Sequence, residues 1–216
     1  MQAPLSLKIS EIFFSLQGES SRTGLPTVFV RLTGCPLRCR WCDTAYAFSG
    51  GEVRSLTSII EAVAAFQTRQ VCVTGGEPLA QAACLDLLRA LCDAGFSVSL
   101  ETSGALAIDA VDTRVARVVD LKAPGSGEQA RNFWPNLDVL TANDEIKFVL
   151  QDRADYEWAR TLIAERQLAQ VCSLLFSPVA GELSATTLAE WILADRLPVR
   201  LQVQLHKLLW GNMRGK

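Results

Sequence analysis

The strongest constraint on this chain is a recurrence: short apolar runs end in polar or glycine-bearing loops, and amphipathic stretches follow them. Thr27–Leu32 (TVFVRL), rich in β-branched and aromatic residues, reads as a strand and runs into a loop crowded with cysteine. Gln70–Thr74 runs into TGGEP, Phe96–Glu101 into ETSG, Arg117–Leu121 into LKAPGSG and Val171–Phe176 into SPVAGE. Further strands are expected at Glu11–Phe14, Glu145–Leu150 and Val199–Gln204, with Gly18–Pro26 a loop. Between the strands, Ser55–Phe66 carries Leu56, Ile59, Ile60 and Val63 at helical spacing. Ala82–Ala94 sets Leu85, Leu88, Leu91 and Cys92 on its apolar side and stops at Gly95. Helices near Ala154–Arg166 and Ala185–Ala194 complete the pattern.

Strands separated by helices form βαβ units with parallel pairing and right-handed crossovers. In such folds the loops beyond the strand ends build the site. The recurrence therefore predicts an α/β fold, an open or partial (βα) barrel around a parallel sheet. A doubly wound open sheet is the alternative, which periodicity alone does not separate. No repeat, low-complexity tract or linker divides residues 1–216, so one domain is expected.

Composition narrows the partners. A net charge of -2 lacks the basic excess of nucleic-acid binders, and none is expected here. The opening MQAPLSLKISEIFF has no basic region followed by an apolar core and a cleavage site, and no apolar run reaches bilayer length. The expected home is the cytoplasm, without a membrane partner, where thiols stay reduced. The seven cysteines then read as metal ligands, core residues or reactive thiols, and their odd number leaves no complete disulfide framework. Cys72, Cys84, Cys92 and Cys172 fall on predicted strands or a helix face and read as small core residues.

Cys35, Cys39 and Cys42 are different: they crowd into eight residues of loop. Soft thiolates at this spacing suit an iron–sulfur cluster or zinc. Three thiolates on a [4Fe–4S] cluster leave one iron open to a small molecule. Zinc would want a fourth ligand, and the single histidine, His206, is distant in sequence but free to return in space.

CxxxCxxC, followed by Thr74-Gly75-Gly76-Glu77-Pro78, resembles the paired signature of the radical S-adenosylmethionine superfamily. The flanks resemble one family within it, the 7-carboxy-7-deazaguanine synthases. The matching segments are Glu11–Glu19 (EIFFSLQGE), Arg31–Cys35 (RLTGC), Cys42-Asp43-Thr44, Glu101–Gly104 (ETSG) and Gln204–Lys207 (QLHK). This resemblance implies a radical SAM fold and the ring contraction of 6-carboxytetrahydropterin to 7-carboxy-7-deazaguanine with loss of ammonia. It implies three cofactors: a [4Fe–4S] cluster on Cys35, Cys39 and Cys42, S-adenosylmethionine, and Mg²⁺ on Thr44. Trp41, Cys42, Asp43, Gly76, Ser177, Pro178, Val179 and Ala180 would meet S-adenosylmethionine. Leu16, Gln17, Gly18, Arg31 and Thr74 would hold the substrate, and a guanidinium such as that of Arg31 suits its carboxylate. Lys122, Ser126 and Ser103 are further candidates on neighbouring loops, and His206 reads as structural. Family partners would be an electron donor such as flavodoxin and a second copy in a homodimer. Three departures stand out: Ser20 where the pattern has glycine, LKAPGSG in place of an SPK loop, and WGNMRGK without the short proline ending of some members. A glycyl-radical activase would share the cluster motifs without the Leu16–Gly18 and Arg31 elements, and a zinc-stabilised binding module would share only the cysteines.

Overall fold

The order in which the strands pair decides between the two architectures. The computed structural model describes residues 5–216. Its strands are β1 (Ser6–Leu16), β2 (Pro26–Leu32), β3 (Glu52–Ser55), β4 (Gln70–Gly75), β5 (Ser97–Thr102), β6 (Ala116–Leu121), β7 (Glu145–Leu150), β8 (Ser173–Pro178) and β9 (Arg200–Leu201). The α-helices are α1 (Leu56–Ala64), α2 (Cys84–Asp93), α3 (Arg153–Glu165), α4 (Ala185–Asp195) and α5 (Leu205–Trp210). They build one sheet in the order β3-β1-β2-β4-β5-β6-β7-β8-β9. From β2 onward every neighbouring pair is parallel, while β1 runs antiparallel to both β2 and β3.

Each parallel strand is added on the same side of the last, with no reversal of order. A doubly wound sheet needs such a reversal, so that alternative is set aside. Right-handed crossovers that always advance in one direction put their helices on one face of the sheet. The result is a partial (βα) barrel, helices outside and strand ends inside.

Strand period does the rest. On the helix-covered face, Val71, Val73, Val98, Leu100, Val119, Leu121, Ile146, Phe148, Leu174 and Phe176 are buried in the hydrophobic core. The alternate positions carry Arg31, Thr74, Glu101, Asp120 and Lys147 on the other face. The register pairs Arg31 with Thr74, Glu101 with Val118 and Asp120 with Lys147. A slip of one residue would exchange the two sets and bury the charges under the helices.

The helix starts follow from capping. Ser55 accepts from the Ser58 amide at α1, and Asp152 accepts from the Asp155 amide at α3. Two segments depart from expectation. The short edge strand β3 has two exposed residues at its start and no alternating pattern to announce it. The strand expected at Val199–Gln204 shrinks to Arg200–Leu201, and the chain turns into α5, too short for its periodicity to show. Cys72, Cys84 and Cys172 are buried as expected, whereas Cys92 lies at the margin of the core. The buried face of α2 is Cys84, Leu87, Leu88 and Leu91, rotated from the expected one so that Leu85 and Cys92 flank it.

Under α3 and α4, Phe148 packs edge-on to Phe176 (centroids 5.5 Å apart) and Trp158 (6.0 Å), and Tyr156 meets Phe176 (5.8 Å) and Trp191 (5.3 Å). Phe148→Ala should cost about 3–5 kcal/mol, because these rings cannot collapse into the void. A chemical denaturation midpoint measures it; an unchanged midpoint would show that the cluster is not a keystone of the core.

Candidate active site

The loops beyond the strand ends, with the inner face of the sheet, enclose a cavity of about 740 Å³. Cys35, Cys39 and Cys42 line one side of it. The loop that carries them is pinned at several points. Gly34 turns with φ +100° and donates to the Ala47 carbonyl at 2.8 Å. Leu37 is buried beneath it, the Arg40 amide donates to the Ser126 carbonyl at 3.0 Å, and the Arg38 amide donates to Glu128 at 2.6 Å. Burial pushes the Cys35 and Cys39 thiols up, so ligation rather than solvent would draw off their protons. With all three cysteines on one cavity, their soft thiolates are the donors an iron–sulfur centre takes.

Gly76 explains how the two signature motifs meet. A Cβ built there would lie 2.2 Å from the Gly34 carbonyl oxygen and 2.8 Å from the Cys35 Cβ. The Glu77 amide then donates to the Gly34 carbonyl at 2.7 Å. The Glu77 carboxylate turns away from the cavity into full burial. It accepts from the Leu79 amide (3.0 Å), the Thr102 hydroxyl (3.0 Å), and the Ser103 amide (2.7 Å) and hydroxyl (2.5 Å). It is a brace between the GGE and ETSG loops, and it leaves the backbone of Gly75 and Gly76 to face the cavity.

Leu16, Gln17, Gly18, Arg31 and Thr74, the residues expected at the substrate, line this same space. Gln17 is buried and donates to Glu101 at 3.2 Å. Gly18 packs against His206, since a Cβ would fall 2.1 Å from its Nδ1. Ser20 takes the left-handed conformation (φ +69°) that glycine adopts freely, and its amide donates to Gln202 at 2.7 Å, so the loop keeps its course without the glycine. Of the residues expected at the cofactor, Trp41, Asp43, Gly76, Val179 and Ala180 line the cavity together with Cys42 and Thr44. Ser177 and Pro178 do not: they complete β8, where Ser177 is buried opposite Val149. Desolvation in the cavity wall would raise the Asp43 carboxyl, but Lys207 at 2.9 Å and the Thr44 hydroxyl, donating at 2.9 Å, hold it well below the usual range. The Thr44 oxygen keeps its lone pairs, the hard donor Mg²⁺ prefers.

Sequence reasoning missed the charged floor. Lys147 reaches Glu19 at 2.5 Å and Asp120 at 3.6 Å, and Lys122 reaches Asp120 at 2.9 Å. Burial works against both charges of the Lys147–Glu19 pair, yet their attraction wins, raising the lysine and lowering the carboxyl. Gln204 donates to Glu19 at 2.6 Å, while one oxygen of Asp120 has no partner among the described residues. Burial first, then the Glu19 charge, raises the Glu101 carboxyl against the pull of Lys147. Charged residues at single positions in otherwise apolar strands were the available signal. His206 also lines the cavity, and burial pushes its pKa down, which favours a neutral ring.

Residues 29–167 match the Radical SAM superfamily. The chain is 48% identical over 220 residues to the 7-carboxy-7-deazaguanine synthase of Chlorobaculum tepidum, covering 100% of both chains. It is 43% identical to that of Koribacter versatilis, covering 94% of this chain and 97% of that one. The crystal structure of QueE from Escherichia coli superposes with a TM-score of 0.73 at 27% identity, over 93% of this chain and 95% of that one.

The raised Glu101 carboxyl has a measurable consequence. The folded state keeps a proton that the unfolded chain releases above about pH 4.3. Stability from this group therefore falls as pH rises from there through the folded value, by roughly 1.4 kcal/mol for each unit of separation. Glu101→Gln cannot titrate, so its stability relative to the parent should climb as pH rises above about 4.3. Parallel pH profiles in denaturant would refute the protonated acid.

Proposed function

The chain belongs to the 7-carboxy-7-deazaguanine synthase family of the radical SAM superfamily, and from that premise we propose how its residues divide the work. It is a radical SAM carbon–nitrogen lyase that contracts 6-carboxy-5,6,7,8-tetrahydropterin to 7-carboxy-7-deazaguanine with loss of ammonia, on the route to queuosine and other 7-deazapurines. One observation carries the assignment of roles: the cluster cysteines, the Gly75-Gly76 backbone and the substrate residues all face a single cavity. The activase and the zinc module give way to similarity that runs the full length of the chain.

Cys35, Cys39 and Cys42 would hold a [4Fe–4S] cluster through three thiolates beside the S-adenosylmethionine residues. When bound, the two cofactors would supply the radical chemistry. The Gly76 backbone, Trp41, Asp43, Val179 and Ala180 shape the cofactor end, with Ser177 and Pro178 supporting from β8. Leu16, Gln17, Gly18 and Thr74 hold the pterin, and the fork of Arg31 grips its carboxylate. Thr44 offers its hydroxyl to Mg²⁺ beside the ionised Asp43. Glu101, its carboxyl raised by burial and accepting from Gln17, lies beside the pterin-binding residues. The charged floor is preorganised, so little rearrangement accompanies charge changes in the substrate.

The chain works as one domain, supported by one sheet that reaches from Ser6 to Leu201. We place it in the cytoplasm as a homodimer that takes electrons from a donor such as flavodoxin. The free state of all seven cysteines suits a reducing compartment, and no described helix is long and apolar enough to cross a membrane.

Anaerobic reconstitution with iron and sulfide, followed by reductant, S-adenosylmethionine, Mg²⁺ and the carboxylated pterin, should yield 7-carboxy-7-deazaguanine. A cluster-loaded preparation that makes none rejects the substrate. Thr44→Val should raise the Mg²⁺ concentration for half-maximal rate by roughly ten-fold or more while leaving iron content unchanged; the same Mg²⁺ dependence in both proteins would remove Thr44 from the metal.

A further inference from the structure

Glu11 on β1 stands directly across from Arg31 on β2 and accepts from its Nε at 2.7 Å. The Tyr46 hydroxyl donates to the same oxygen at 2.7 Å. Both contacts fall on one oxygen, and the other meets a second guanidinium. Arg214, 203 positions along the chain from Glu11, donates from its Nε to the other oxygen at 3.2 Å and lies 4.1 Å from the centre of the Tyr46 ring. It is carried there by the segment after α5, whose residues 211–216 line the cavity. The Arg31 guanidinium lies 5.9 Å from the same ring.

One carboxylate between two guanidiniums leaves an excess positive charge, because Tyr46 is pushed up to about 12 and stays neutral. Both arginines engage Glu11 through Nε alone. Their Nη1 and Nη2 ends have no protein acceptor among the described residues. A surface ion pair would need neither the excess charge nor two open forks; Glu11 and Arg31 are only 15% and 16% exposed, while Arg214, 57% exposed, lines the same cavity. Resting on the pterin reading above, we propose that Arg214 and Arg31 form a two-guanidinium clamp, bridged by Glu11, that grips the substrate carboxylate. Planar forks with parallel N–H donors are the geometry that recognises a carboxylate. Arg214 thereby selects carboxylated pterins over the bare ring.

The test is equilibrium binding to anaerobic, cluster-loaded enzyme with S-adenosylmethionine, the cluster left oxidised so that nothing turns over. The probes are 6-carboxytetrahydropterin and tetrahydropterin without the carboxylate. The parent should prefer the carboxylated ring. Arg214→Ala should lower that preference about ten-fold with little change toward the bare ring, and Arg214→Lys should recover part of it. An unchanged preference in Arg214→Ala, or an equal loss for both probes, would overturn the clamp while leaving the pterin assignment standing. A parent protein that binds neither probe would overturn the pterin reading, and the clamp with it.

Discussion

The backbone of Gly76 lies so close to Gly34 and Cys35 that no side chain fits between them. On that contact the rest of the site depends. It joins the loop after β2 to the loop after β4, and so brings the cysteine loop and the glycine backbone together in the wall of one cavity. Glu77 extends the joint by one more loop, because its carboxylate collects donors from Thr102 and Ser103 beyond β5. A buried carboxylate with several partners is costly to disturb, since each donor it released would be left without water or protein. The cluster loop thus rests on a hydrogen-bonded scaffold rather than on its own ten or so residues.

The inner face of the sheet solves a second problem. Parallel strands are ordinarily apolar on both faces, because helices cover both. Here helices cover one face only, and the other carries Arg31, Glu101, Asp120 and Lys147. Such charges would be expensive if isolated. They are tolerated because they neutralise one another: Lys147 bridges Glu19 and Asp120, Lys122 adds a second cation to Asp120, and burial raises the Glu101 carboxyl. The cavity is polar and ordered at once, which suits a substrate with many donors and acceptors and a reaction that must hold a reactive intermediate away from bulk water.

Local signals were legible where the residue type has one physical meaning. Three crowded cysteines, a Gly-Gly pair after a strand, and a glutamine–glycine turn before Pro26 all pointed to the cavity, and each residue lies there. Ser177 and Pro178 did not follow, because β8 runs two residues further than its apolar pattern suggested and takes them into the sheet. Lys147, Asp120 and Glu19 were illegible as a site. A charged residue in a strand reads as solvent-facing until the curvature of the sheet shows that its outward side is the inside of a half barrel. The partnership of Glu11, Tyr46 and Arg214 was equally hidden, since it joins the first strand to the last residues of the chain.

The amino-acid sequence by itself determined the class of fold, the crowding of three cysteines in one loop and the family, because periodicity, thiol spacing and loop motifs are properties of neighbours in the chain. Tertiary structure decided that the strands advance without reversal, which face of each strand looks into the cavity, and which charges meet there. The reason is geometric. Short-range pattern specifies how a segment folds, but charge pairing depends on distances between segments, and only the closing of the sheet sets those.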